Sequence, residues 1–411
     1  MVTLKNALLA LAIVTAAAPA AWADDAVAPD ASAVAPAAEE EPFISLRAAD
    51  AVSWCSDDIG CLEPAARVYY NRVDGLLFYV GIRYHSEVHL HPRLTALRGW
   101  PSARGSAYYE LDVEQPVFGQ DAFSFGATFY DRSAWTEDDS ENITDVENNL
   151  FALLLRQEQR DYFREDGYTL YARQAIGDRI RLALEYDDAD LSSLAAQQSV
   201  WSVFRRDADW VENPRLTVGL DSGEREFDGR MSRVRLSVAY DDREGVERRG
   251  WFARGRMENA KDDGDGDYDY RRIAFDLSRK MRVTDTQDLS LRGSWGVGSG
   301  TDFPSHRLFY LGGLGTLRGY PYRAYAGKNM VFASAEYSVR ISPSLYMIYF
   351  VDSGEVWNNT SGFDWDEHKT NVGIGVRFEA PGVGDVRIDA ARPTMAEDAD
   401  TIVSLRLVFP S

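Results

Sequence analysis

The sequence predicts an all-β fold, a transmembrane antiparallel β-barrel of about sixteen strands. Two observations carry that prediction and a third orients the barrel. Segments of about eight to twelve residues alternate apolar and polar side chains, the period of a strand with one face in lipid and the other in a wet lumen. Beyond an amino-terminal leader, no apolar run approaches the ~18 residues that a membrane-crossing helix needs. Short turns alternate with long polar connections, so the long ones gather at one end, as in outer-membrane barrels.

The leader sets the compartment. Lys5 precedes an apolar run, Ala7 to Ala21, and Ala21-Trp22-Ala23 closes it with an A-x-A cleavage pattern. Residues 1–23 therefore read as a secretory signal peptide. Residues 24–65 read as an Ala/Pro-rich disordered periplasmic segment holding one small loop, Cys55 to Cys61. In an oxidising compartment two cysteines this close read as a disulfide, because a metal site needs further soft ligands. The barrel then occupies 66–411.

Within it the expected strands are 66–73, 76–84, 90–99, 104–114, 121–132, 167–175, 179–187, 231–241, 249–258, 268–279, 286–297, 330–341, 345–352, 370–379, 385–391 and 401–409. The alternation is clearest late in the chain. Val234, Leu236, Val238 and Tyr240 alternate with Arg233, Arg235, Ser237 and Asp241, and Val372, Ile374, Val376 and Phe378 with Asn371, Gly373, Gly375 and Arg377. Dense Arg, Asp and Glu on the polar face favour a membrane barrel over a soluble sandwich. With sixteen strands, the long connections 133–166, 188–230, 259–267, 298–329, 353–369 and 392–400 all fall at one end. The stretch 145–160 reads either as a short helix or as a missed strand, and the four Asp of 259–267 as a solvated loop without the closing Glu of a calcium loop.

Composition excludes one partner class. The chain carries 65 acidic and 44 basic residues, a formal charge of −21, and nucleic-acid backbones need a basic surface. No cofactor is expected.

The informative segment lies in the long connection 298–329, the sixth at its end of the barrel. Leu311-Gly-Gly-Leu-Gly-Thr-Leu-Arg-Gly-Tyr320 sets one arginine among Gly312, Gly313, Gly315 and Gly319. Glycines permit tight folding, and Arg318 offers a planar fork to carboxylates inside a lumen. Buried there it needs acidic partners, and Glu336 and Asp352 lie just downstream.

These residues resemble a known family. LGGLGTLRGYPYRAYAG (311–327) is similar to the sixth-loop (V/L)RG(F/Y) motif of the BamA/TamA-type bacterial surface antigen superfamily. FVDSGEVW (350–357) resembles its F-x-D-x-G-x-V-W segment. GIGVRFEAPGVGDVRIDAARP (373–393) resembles its G-x-G-x-R-F segment, with Asp385 where the family usually has Pro. The resemblance implies a sixteen-stranded outer-membrane barrel with a lumen-plugging sixth extracellular loop, held by Arg318 with Asp352 and Glu336. It also implies partners: outer-membrane lipids, the assembly machinery for the barrel's own insertion, and unfolded protein or lipid clients. The alternating end VSLRLVF, with Val403, Leu405, Leu407 and Phe409, looks like the family's assembly signal and one side of a weakly paired seam. Val68 and Leu407 are expected to face each other across that seam. POTRA modules, the patatin domain and a G-x-S-x-G elbow are not found, so the chain looks like the branch lacking a folded amino-terminal domain.

Two readings from other classes remain at this stage. A passive channel would use the Arg- and Asp-rich lumen to tune ion preference. A rim-located lipid hydrolase would need a Ser-His-Asp arrangement that only geometry can reveal. His306 reads as a hydrogen-bonded loop residue. His85, His89 and His91 share one side of an extended segment and are weak metal candidates, more simply a polar turn. The chain is read as a non-enzyme.

Overall fold

The computed structural model describes residues 44–47, 54–56 and 60–408, apart from 87–90, 118–121, 137–142, 206, 219–224, 227, 246–247, 262–266, 359–363, 365, 381–383 and 395–399. The leader, most of the Ala/Pro-rich segment, His89, most of the acidic 259–267 loop and Phe409 lie outside the described residues.

Two short strands, β1 (Ile44–Arg47) and β2 (Trp54–Ser56), precede the barrel wall. The wall opens with β3 (Gly60–Asn71), β4 (Gly75–His85), β5 (Arg93–Pro101), β6 (Tyr108–Val117) and β7 (Phe123–Trp135). Helix α1 (Asp145–Leu155) follows, then β8 (Tyr162–Ile176) and β9 (Ile180–Ser193). A small pair, β10 (Thr217–Val218) and β11 (Arg225–Glu226), sits in the next connection. The wall resumes with β12 (Gly229–Asp241), β13 (Gly250–Ala260), β14 (Tyr270–Thr284) and β15 (Gln287–Ser299). The sixth loop holds a second pair, β16 (Phe309–Leu311) and β17 (Tyr325–Gly327). Then come β18 (Asn329–Ser342), β19 (Leu345–Trp357), β20 (Lys369–Ala380), β21 (Gly384–Pro393) and β22 (Ile402–Val408).

Sixteen strands make the wall, each antiparallel to its neighbour, and β1 and β2 lie against β3 to complete one 18-stranded sheet. The alternation explains the wall. On β4, Leu76, Phe78, Val80 and Ile82 point outward and stay exposed, while Leu77 and Tyr79 are buried. Val234, Leu236 and Val238 on β12 and Val372, Ile374, Val376 and Phe378 on β20 continue the same outward apolar face. A patch this extensive marks contact with lipid rather than water. No helix among the described residues is long and apolar enough to cross a membrane.

The inward face carries the charges, and they are paired. Arg67 meets Glu110 at 2.9 Å, and Arg233 reaches Asp187 at 2.8 Å and Glu258 at 3.5 Å. Cross-strand neighbours stand close enough for such pairs, and a buried charge without one costs several kcal/mol. The apolar core lies at the long-loop end, where Phe303, Leu308, Phe309, Leu311 and Leu317 of the sixth loop are buried against wall residues such as Met231, Tyr270, Met330 and Phe332.

Several boundaries differ from expectation. The first wall strand starts at Gly60 rather than 66, so 24–65 is not spacer throughout. Glycine and proline disfavour strand interiors, yet Pro64 pairs opposite Ile82, and proline is tolerated in a strand that borders an edge. Cys55 and Cys61 are bonded to each other and are register partners, so their loop is the β2–β3 hairpin. β19 runs on to Trp357, and β8 and β9 extend further into the long-loop end than expected. The 145–160 stretch settles as a helix capped by Thr144, whose Oγ1 accepts from Glu147 N at 3.2 Å.

Candidate functional site

The site begins with the turn that aims Arg318. Gly312 and Gly313 adopt φ of +119° and +94°, a region side-chain-bearing residues avoid. Gly312 N donates to Thr316 Oγ1 at 2.8 Å, and Gly313 N to Tyr320 O at 3.1 Å. Gly315 offers its carbonyl to Arg292 Nη1 at 2.9 Å, tying the turn to β15. Gly319 lies against β20, where an added Cβ would stand 2.6 Å from Asn371 Cβ. Only hydrogen fits there, and that approach brings Arg318 onto the wall.

Arg318 then meets three strands. Its Nε and Nη2 donate to Asp352 of β19 at 2.9 and 2.7 Å, the two-pronged geometry that guanidinium and carboxylate favour. Nη1 donates to Glu336 of β18 at 3.0 Å and lies 3.8 Å from Asp389 of β21. Its Cζ stands 3.4 Å from the Phe350 ring centre, a cation–π contact. Asp352 is fully buried and also accepts from Ser334 Oγ at 2.7 Å and Asn371 Nδ2 at 3.0 Å. Both Asp352 oxygens, stripped of water by burial, are thus met by donors.

The seam is the second part. Among the described residues β22 pairs only with β21, and β3 pairs with β4 on one edge and with β1 and β2 on the other. Val68 therefore faces Ile44, not Leu407, which corrects the expected juxtaposition. The free edge of β3 had a nearer claimant, the chain folding back on itself. Val403 is exposed, whereas Leu405 and Leu407 pack on α1.

A family model for the Omp85 superfamily domain matches residues 101–409, most of the chain. The chain belongs to the Omp85 superfamily. It is an outer-membrane barrel. It is 24% identical over 246 residues to the outer membrane protein assembly factor BamA of Nitratidesulfovibrio vulgaris, covering 56% of this chain and 30% of that one. It therefore spans about a third of that relative's length. The crystal structure of Haemophilus ducreyi BamA lacking POTRA domains 1–3 superposes with a TM-score of 0.55 at 15% identity, over 84% of this chain and 70% of that one. That likeness is one of fold.

Several members of this Omp85 site escaped the sequence reading. Arg387 of β21 clasps Glu336 with both terminal nitrogens, at 3.0 and 2.8 Å, and Asp389 through Nε at 2.9 Å, so the lock is a five-member network. Their position on the inward phase of the R-x-D segment was the available signal. A second network ties the loops together. Arg72 in the first turn donates to Glu158 at 2.9 Å and Asp161 at 3.0 Å, and Arg323 of the sixth loop reaches the same Asp161. Burial pushes the Glu158 carboxyl up to about 7, with Arg72 opposing.

The histidines do other things. His306 is buried beside Phe163, 4.8 Å between ring centres, with no hydrogen-bond partner on either nitrogen, which corrects the hydrogen-bonded reading. Burial, and then Arg307, hold it neutral. His85 ends β4, and His91 sets Nδ1 3.1 Å from Ser86 O. No group of three metal-binding side chains gathers among the described residues.

Proposed function

We propose that this barrel aids outer-membrane assembly or translocation of proteins or lipids through its seam, not its lumen, and that it is not an enzyme. One observation carries the reading: among the described residues the first and last wall strands are not joined by a ladder, while the sixth loop packs against the wall and is bolted there by Arg318. The outer edge of β22 has no strand partner among the described residues, and because an unpaired edge in hydrocarbon is costly it favours accepting an extended partner strand. The printed role of the BamA relative, an assembly factor, supports this direction. Partners follow from it: outer-membrane lipids, unfolded barrel or lipid clients, and the assembly machinery for its own insertion.

The channel reading finds less support, because charges on the inward face are paired and the sixth loop is packed against the wall. The hydrolase reading lacks a Ser-His pair at His306. The test is to time the folding of an unfolded client barrel into liposomes that contain or lack the purified protein, recording ion conductance on the same vesicles. Faster folding without steady conductance is the expected result. Unchanged folding with steady conductance would make it a channel.

A further inference from the structure

The seam is not empty. The free edge of β3 is covered along its length by the same chain: β2 at residues 60–62, β1 at 65–68, and then α1. At Tyr70 the backbone N–H, pointing away from β4, donates 2.6 Å to Asn149 Oδ1 on α1. The free edge of β22 meets the same helix. Leu407 N–H, pointing away from β21, donates 3.0 Å to Glu147 Oε1. Arg406 grips that carboxylate with Nε at 3.2 Å and Nη2 at 3.0 Å. Side-chain acceptors two residues apart on one helix thus satisfy edge amides of the first and the last wall strand.

The helix lies at the edges rather than on one face of the wall. Along β22, Arg406 opposes Arg387 on the lumen phase, whereas Leu405 opposes the exposed Ile388 on the lipid phase. α1 touches both, since Phe151, Leu154 and Leu155 pack with Leu405, Leu407 and Val386. On its other side Ala152 and Leu153 pack with Tyr70, whose register partner Leu76 faces lipid. A body that contacts both pleat phases and the edge amides occupies the gap itself.

The helix is also held from outside the wall. Val203 and Phe204 donate their backbone N–H to Leu153 and Leu154 carbonyls at 2.9 and 3.1 Å. Arg156 donates to Ser202 Oγ at 3.2 Å and Val200 O at 3.0 Å. The carbonyl end of α1 is thereby capped by the 194–228 loop, so helix and loop form one unit that can leave the seam together. Across the gap it offers Glu147, Asn149 and an apolar face, in place of the continuous ladder a strand would supply.

We propose that α1 is a removable wedge, an autoinhibitory contact that keeps the seam shut by standing in for a wall strand. Withdrawal of the wedge frees the amides of Tyr70 and Leu407 for an incoming strand. The proposal deepens the reading above and rests on it for what enters the seam, but the wedge itself is testable without a client.

The test compares the full-length wild type with a Glu147→Gln/Asn149→Ala variant in lipid vesicles. Hydrogen exchange is followed on peptides containing Tyr70 and Leu407 and, as reference, on those containing Glu336 and Asp352. Heat-modifiable mobility reports that the barrel is folded. The wedge predicts exchange faster by roughly tenfold or more at the two seam peptides and unchanged at the reference strands. Unchanged seam exchange, or equal loosening of all strands, overturns it. Should the variant fold poorly, Glu147→Cys/Arg406→Cys bridged by a bis-maleimide gives the converse: seam exchange slower than in the same variant left unbridged, with no slowing counting against the wedge. Client folding is timed on the same samples. Seam exchange that rises without faster client folding leaves the wedge standing and removes the client reading.

Discussion

Two buried arginine–carboxylate clusters hold this barrel in its observed state, and they are built differently. At the lock, Arg318 is gripped by Asp352 and Glu336, Glu336 is gripped again by Arg387, and the partners come from β18, β19 and β21, which full ladders join through β20. At the seam, Glu147 holds Arg406 and one amide of β22, a strand with no ladder on its outer side among the described residues. The lock is over-determined and the seam is not. A barrel that keeps its lumen shut and its wall openable would be arranged in this way.

The comparison can be broken most forcefully at the lock. Arg318→Ala leaves Asp352 buried without its ion partner, a loss on the order of 3–5 kcal/mol. The expected outcome is protease cleavage within the 300–328 loop and steady conductance in planar bilayers; a loop that stays protected would show that the apolar cluster around Leu311 and Leu317 suffices. Gly319→Ala attacks the same lock from the side. The new methyl collides with Asn371, and the thermal midpoint of the heat-modifiable gel shift should fall by an amount corresponding to about 1–3 kcal/mol. At the seam, Glu147→Gln keeps the amide acceptor but removes the charge from Arg406. The expected cost is about 1–2 kcal/mol, confined to the seam, so the gel-shift midpoint should move less than for Arg318→Ala.

The smallest effect expected is one of pH. Burial raises the Glu158 carboxyl from its usual 4.5 to about 7, so the folded loops favour its protonated form. That stabilisation is complete below the unfolded value and is lost as pH rises through about 7. The contacts among the first turn, the helix loop and the sixth loop should therefore loosen between pH 5 and pH 8, seen as rising protease sensitivity of the 136–161 segment. Glu158→Gln should flatten that dependence; a profile that keeps its slope would place the titration elsewhere.

Arg318, Asp352 and Glu336 of the lock and the weak pairing at the seam were legible in the sequence, and what fills the seam was not, for a reason of distance along the chain. Arg318 and its carboxylates lie 18 and 34 residues apart, within one run of hairpins whose alternation fixes which side chains face inward. The period-two pattern likewise located all sixteen wall strands, because each stretch of β-sheet in a barrel repeats one rule, lipid outside and charge inside. Glu147 and Arg406 are separated by 259 positions and Arg323 and Asp161 by 162, contacts that only the closing of the barrel creates. The sequence Thr144-Asp-Val-Glu147 does carry a helix-start signature, which could have settled the 145–160 stretch. Its glutamate points to β22 rather than back to its own cap. No local rule announces that.

The most direct measurement of the seam account is the folding of an unfolded client barrel into liposomes holding the Glu147→Cys/Arg406→Cys protein, with the two cysteines either free or bridged by a bis-maleimide. Acceleration by the unbridged protein and its loss on bridging are expected, with no steady ion conductance in either state. Acceleration that survives the bridge, or vesicles that conduct ions while client folding stays at its unassisted rate, would contradict it.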